Sequence, residues 1–212
     1  MAQGSPDAAD TAAVHAWFLD TAADIAEPLR AALERVGPAA MPERREVPLA
    51  QFLARAVVGQ QLSTTAARAI WSRLEAAAAE HGCALPAFCD PERAEILRAC
   101  GLSRGKIRTL AHLREAEREG TLDGTALGAM THAERAAELC RIWGVGQWTV
   151  DMASIFWCRS PDVWPETDLA VRNTFVGLIG RRRKPSKAAA RFAPHRSRLA
   201  LYMWKVADAR PD

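Results

Sequence analysis

The stretch LCRIWGVGQWTVDMASIFW (139–157) holds two glycines two residues apart, between segments that otherwise read as helix. Each glycine weakens a helix that contains it. Gly144-Val145-Gly146 therefore reads as a tight turn joining two helices, with the second running from about Gln147 to Trp157. Such a turn exposes backbone N–H groups at a helix N-terminus, where the dipole favours an anion such as a phosphate. A plain connection between antiparallel helices is the alternative. The hairpin spans about residues 140–150, and Gly144, Val145, Gly146, Gln147 and Thr149 are its candidate backbone-binding positions.

The rest of the chain has the same helical character. Ala, Leu, Arg and Glu dominate, and alternating β-branched runs are few. Residues 11–36 read as one or two helices ending at Gly37-Pro38. Leu49, Phe52, Leu53, Ala56 and Val57 form an amphipathic repeat that breaks at GQQL (59–62). Ser63 is placed to cap a helix through about Ala79. A short helix spans about 91–100, stopped by Gly101, and another runs from about Ser103 to a cap at Gly120. Thr131 and Glu134 make a capping box for a helix to about Ile142. CRSPDVWPET (158–167) is a loop, Asp168 opens a helix to about Ile179, Arg181–Pro185 is a basic loop, and Pro194 is expected to open a last helix through about Val206. The fold expected is all-α: a two-lobed helical bundle with a cleft between the lobes. Residues 1–46 with about 169–212 form one lobe, and about 47–168 form the other.

Composition narrows the function. The 212 residues are 49% hydrophobic, enough for a core. No apolar run is long enough to span a bilayer, and the N-terminus lacks the pattern of a secretory signal. Five scattered cysteines, none in a C-x-x-C pair, suit free thiols and a cytoplasmic location. The net charge of +3 is unevenly placed. Residues 1–46 carry eight acids against four arginines, whereas the ten bases from Arg172 to Lys205 have no acid among them. That run is either a solvated face or a footprint for a polyanion such as nucleic acid.

Four blocks carry a resemblance: ARAVVGQQLSTTAARAIWSRL (54–74), LRACGLSRGKIRTL (97–110), the hairpin followed by DVWPETDLAV (162–171), and FAPHRSRLALYMWKVAD (192–208). In this order and spacing they resemble the helix-hairpin-helix/Gly-Pro-Asp superfamily of DNA glycosylases, in its 3-methyladenine DNA glycosylase II branch. The resemblance runs from about residue 30 onward. It implies a compact, all-helical form without the N-terminal β domain of larger members. PETDLAV departs from the commoner Pro-x-Gly-Asp spelling.

The resemblance also implies roles. Asp168 matches the catalytic aspartate, which stabilises positive charge developing on the sugar; by local sequence alone it reads as an ordinary N-cap. Glu166 does not take that position. Trp148 and Trp204 match the aromatic walls of a pocket for a cationic base, with Met152 one turn beyond Trp148 and Trp164 a further candidate. Trp17, Trp71, Trp143 and Trp157 read as core. Gln61, with Leu62 and Gln60, matches the wedge that fills the gap left by a flipped base. Strand-cutting relatives carry a lysine where Trp148 stands, so a monofunctional enzyme is expected. No cysteine follows Cys158, so no iron–sulfur cluster is expected, and no cofactor is required. One monovalent cation on the carbonyls of Cys140, Ile142 and Val145 is possible. The expected partner is double-stranded DNA with a damaged base, bound by a monomer. None of the five histidines lies beside the motif in sequence. Two other readings remain: a glycosylase for deaminated or oxidised bases, and a non-catalytic DNA-binding protein.

Overall fold

The computed structural model describes residues 6–43 and 47–209, so parts of the segments expected at 1–46 and 169–212 lie outside the described residues. Every regular element among them is helical. In chain order these are α1 (Pro6–Ala23), α2 (Glu27–Val36), α3 (Leu49–Gly59), α4 (Thr64–Glu80), α5 (Leu85–Phe88), α6 (Ala94–Ala99), α7 (Arg104–Arg118) and α8 (Gly124–Ala129). They are followed by α9 (His132–Leu139), α10 (Gln147–Met152), α11 (Leu169–Ile179), α12 (Pro185–Ala190) and α13 (Arg196–Asp208). None is long and apolar enough to cross a membrane. The chain divides into two compact units, Met1–Glu43 with Arg159–Asp212, and Arg44–Cys158.

In the first unit, α1, α2, α11 and α13 share a core. Leu29 and Leu33 of α2 are one helical turn apart and fully buried, as are Phe18, Phe175, Phe192 and Met203. Burying each such side chain contributes about 1.5–3 kcal/mol. Phe18 packs against Phe192 and Tyr202, with ring centroids 4.9 and 5.1 Å apart. The Tyr202 hydroxyl lies 2.6 Å from His15 Nδ1, and burial raises the pKa of that phenol.

The second unit is built on α3. Leu49, Leu53 and Val57 recur every four residues and are buried, together with Ala50, Ala54 and Val58. Helix α7 supplies Ile107, Leu110 and Leu113 to the same core. Caps fix several boundaries: Ser63 accepts from the Ala66 N–H, Ser103 from Lys106, and Thr131 with Glu134 forms a reciprocal capping box. After α7, Gly120 takes φ +75°, and the Thr121 and Gly120 N–H groups return to the carbonyls of Ala116 and Glu117. That is the Schellman closure. The chain beyond α10 widens into a π turn over Ala153–Trp157, closed by Cys158 N–H on the Ala153 carbonyl at 2.9 Å.

Several boundaries differ from the sequence expectation. Helix α9 stops at Leu139 rather than Ile142, because the N–H groups of Arg141, Ile142 and Val145 bond three residues back and tighten the chain into the hairpin turn. Helix α12 occupies part of the expected basic loop, with Pro185 at its first turn, where a missing N–H costs nothing. Pro194 does not open the last helix, which starts at Arg196. Its first N–H groups bond outside the helix, Arg196 to Asp162 Oδ1 and Ser197 to the Pro161 carbonyl. Helix α8 has no counterpart in the sequence reading. All five cysteines are free thiols, and burial pushes Cys89 up to about 12.

Arg135, 2% exposed, holds α8 against α9 and the π turn. It donates to the carbonyls of Leu127 and Met130 and to Ser154 Oγ at 2.9, 2.7 and 2.8 Å. Arg135→Met removes these donors and leaves buried acceptors bare. It is expected to lower unfolding free energy by about 3 kcal/mol or more, read from urea denaturation.

Candidate functional site

In the first unit, Asp168 is the N-cap of α11. Its Oδ1 accepts the Val171 N–H at 2.9 Å and the Trp204 indole N–H at 3.3 Å, and the residue is 8% exposed. Capping and chemistry are thus compatible in one side chain: the cap fixes the carboxylate's direction. Neighbouring Leu169 is 63% exposed and the Glu166 side chain is exposed, so of the two carboxylates Asp168 is the one held in place. Trp204, on α13, is half-buried and in direct contact with that carboxylate, a contact the sequence does not reveal.

The loop that delivers Asp168 is tied to the start of α13. Fully buried Ser197 donates to the Ser160 carbonyl at 2.6 Å and accepts the Val163 N–H at 3.0 Å. The Arg196 guanidinium grips Asp162 through both oxygens at 2.6 and 2.8 Å. The hydrogen bonds from Arg196 hold the Asp162 carboxyl below its ordinary range. Two turns then close onto Asp168, with Glu166 N–H on the Trp164 carbonyl and Asp168 N–H on the Pro165 carbonyl. Trp164 packs edge-on against Phe175 at 5.1 Å, and its buried indole N–H has no hydrogen-bond partner.

In the second unit the hairpin turn is Trp143–Gln147. Gly144 has φ +83°, and a Cβ there would overlap Thr109 Oγ1 and lie 2.9 Å from Thr109 Cβ. The turn thus lies directly on α7. Gly146 meets nothing within 4 Å. The N–H groups of Gly144, Gly146 and Gln147 make no bond within the described residues and are available to an acceptor. Val145 and Thr149 do not qualify: their N–H groups bond to the Ile142 and Gly146 carbonyls, and both side chains are buried. This removes two of the candidate backbone contacts, because a turn of this tightness spends those donors on itself. Trp148 is half-buried, and Met152 beyond it is 7% exposed.

The GQQL segment splits by direction. The Gln60 amide turns inward, donating to Thr149 Oγ1 at 3.0 Å and the Gly144 carbonyl at 3.4 Å, so it ties the loop to the hairpin. Lys106 reinforces this by donating to the Val58 and Gln60 carbonyls at 2.8 and 2.9 Å; burial lowers its pKa. Gln61 stands at φ +57°, a conformation non-glycine residues seldom adopt, and with Leu62 (39% exposed) it projects outward. Gln61 and Leu62 therefore face solvent, whereas Gln60 is a tie.

His132, remote in sequence, meets the hairpin helix in space. Its Nε2 lies 3.1 Å from Asp151 Oδ1 and 3.3 Å from Gln147 Nε2, and Gln147 donates to Asp151 at 2.8 Å. Two aromatic readings also change. Trp71 and Trp157 are buried as expected, but Trp143 is 43% and Trp17 37% exposed. The basic run shrinks as well. Arg191 pairs with Asp24, Arg196 with Asp162, Arg183 bonds the Ile179 carbonyl, Lys205 the Pro38 carbonyl, and Arg198 is buried. Acids distant in sequence thus pair two of the ten bases, Arg191 and Arg196.

No family model matches the chain. Over 160 residues it is 34% identical to DNA-3-methyladenine glycosylase 1 of Schizosaccharomyces pombe, covering 73% of this chain and 70% of that one. Among solved structures, a Schizosaccharomyces pombe 3-methyladenine DNA glycosylase in complex with abasic DNA matches with TM-score 0.74 and 30% identity, over 88% of this chain and 94% of that one. The DNA-3-methyladenine glycosidase of Bacillus halodurans matches with TM-score 0.71 and 28% identity, over 99% and 92%.

Two expectations follow from the site. Gly144→Ala combines overpacking against Thr109 with a positive φ and should cost about 3 kcal/mol, whereas Gly146→Ala should change stability by less than about 1 kcal/mol; denaturant titration separates them. The lowered Asp162 pKa contributes stability that is complete above the unfolded value of about 3.9 and is lost as pH falls through the folded value. Asp162→Asn should therefore narrow its stability gap from the wild type between pH 6 and pH 3, as read by denaturation at each pH.

Proposed function

Because the chain belongs to the 3-methyladenine DNA glycosylase family, we propose that it excises alkylated purines of the 3-methyladenine and 7-methylguanine type from double-stranded DNA, as a monofunctional monomer. The observation that carries this reading is Asp168, buried at the start of α11 with Oδ1 fixed by the Val171 N–H and the Trp204 indole. Breaking an N-glycosidic bond places positive charge on the sugar, and a carboxylate of fixed direction stabilises it without reorganising.

The remaining roles follow the chemistry of a flipped base. Trp148 and Trp204 each present an aromatic face suited to a cationic purine. Such a base is a good leaving group, so no strong general acid is needed. Gln61 and Leu62 fill the space the base vacates. The open N–H groups of Gly144, Gly146 and Gln147 take a backbone phosphate. Three uncharged oxygens, the carbonyls of Cys140, Ile142 and Val145, suit a monovalent cation; the Ile142 oxygen already accepts from Val145 and would offer its second lone pair. The reaction as proposed calls on no organic cofactor and no iron–sulfur cluster. Trp148 offers no amine for a Schiff base, so the product is a free base and an abasic site in an intact strand. The setting proposed is the cytoplasm, at the nucleoid if the source is bacterial.

Incubating methylated duplex DNA with the protein and chromatographing the released bases tests this. Free 3-methyladenine and 7-methylguanine are expected, with strand breaks only after alkali. Asp168→Asn should lower release by at least about 10²-fold while keeping affinity for a duplex with an abasic-site analogue. Release of only deaminated or oxidised bases from matching substrates would move the specificity. Binding without any release would reduce the protein to a DNA reader.

A further inference from the structure

Trp143 is out of place in the core reading: it is 43% exposed at the hairpin turn, next to Gly144. The Arg108 guanidinium lies over its ring, 4.1 Å from the centroid, and His112 tilts against the same indole at 6.0 Å. Arg108 has no acid and no carbonyl partner among the described residues. Many exposed arginines of the chain are paired, Arg118 with Glu115, Arg141 with Glu138 and Arg114 with Asp90. Stacking engages the flat face of a guanidinium and leaves its in-plane N–H groups directed outward, which suits a phosphate.

Arg108 is also the end of a series. Arg104 lies one turn earlier on the same face of α7. Both line a cavity of about 560 Å³ with Arg98 of α6, over a floor that includes Ile107 and Ala111. Glu95 is the one acid lining it. Beyond His112 the character changes: the neighbouring cavity of about 340 Å³, which His112, Arg141 and Trp143 also line, carries Glu115, Glu119 and Glu138, two of them in ion pairs, so the Trp143 indole stands between the basic and the acidic edge. The unpaired positive charge thus forms a track that ends at His112. It is continuous with the hairpin, since Gly144 packs on Thr109, the residue after Arg108.

We infer that Trp143, Arg108, Arg104 and Arg98 form a second phosphate-binding track, which carries the duplex backbone onward from the phosphate held by the hairpin N–H groups. The occupant is duplex DNA, by charge complementarity and by continuity with the hairpin; the inference rests on the DNA reading of that turn but not on catalysis. Trp143 acts as the platform that holds the Arg108 plane, and Arg104 and Arg98 extend the positive edge.

The test is binding of a duplex containing an abasic-site analogue, by fluorescence anisotropy across a salt series. Each lost phosphate contact lowers the slope of log K against log salt by about 0.9. Arg108→Ala should show that change with about tenfold weaker binding, and Arg104→Ala/Arg108→Ala about twice the slope change. Arg108→Lys should keep the slope. Trp143→Ala should weaken binding at an unchanged slope, because the charge remains, and Trp143→Phe should restore it. Arg118→Ala, on the same helix but paired, should match the wild type. Wild-type slope and affinity in the double variant would overturn the inference, as would an equal effect from Arg118→Ala. Base release by the wild type is scored separately. A track with altered slope but no base release removes the enzyme and keeps the surface, and release with unaltered slope does the reverse.

Discussion

Thr109 leaves no room for a side chain at residue 144, and much of the second unit is organised around that approach. The hairpin turn can lie on α7 only because Gly144 lacks a Cβ and adopts φ +83°. Once there, its carbonyl accepts from Gln60, whose own carbonyl is held by Lys106 of α7. Two segments remote in sequence are thereby fixed to one helix: the hairpin, and the end of α3 with the GQQL loop that follows it. The result is a rigid frame from which a few backbone N–H groups and two side chains, Gln61 and Leu62, are left to project. Strain at Gln61 is sustained because both flanks of its loop are anchored, Gln60 by its hydrogen bonds and Ser63 by the cap of α4.

The first unit solves a related problem with polar groups instead of close packing. A loop with two prolines must bring one carboxylate to a defined place. Asp162 and Ser197 bind the loop to the first turn of α13, so the same interactions that satisfy that helix's open N–H groups also fix the approach to Asp168. Helix α13 then returns through Trp204 to touch the carboxylate itself. The departure from the Pro-x-Gly-Asp spelling is accommodated here: the two turns at Trp164–Asp168 close without a glycine before the aspartate.

What the sequence made legible is what short-range physics decides. Ser63, Ser103, the Thr131–Glu134 box and the Asp168 cap all act within three residues, and each sits where its spacing implies. The glycine pair marked the hairpin for the same reason. Helix α8 was not legible, because two glycines in six residues give it little intrinsic preference; it is held by its Asp123 cap and by Arg135. Partners far along the chain were not legible either. Thr149 looked like a contact residue and is wholly buried, and His132 reaches Gln147 and Asp151 from outside the motif. The basic run is the sharpest case: Asp24 and Asp162 lie outside it in sequence and inside it in space.

That last difference relocates the electrostatics. A linear count places the polyanion footprint near the C-terminus, where ten bases stand without an acid. In the folded chain several of those bases are pinned by ion pairs, carbonyls or burial, and a pinned base has less to gain from a new phosphate. The unpaired arginines of α6 and α7 are fewer, yet one of them, Arg108, stacks on Trp143 of the turn whose N–H groups are themselves open. Charge matters to a phosphate backbone where it is free and adjacent to directional donors, since the donors set the register and the charge adds affinity along it. On that criterion the α7 edge, which looks unremarkable in the sequence, qualifies where Arg108 meets the hairpin.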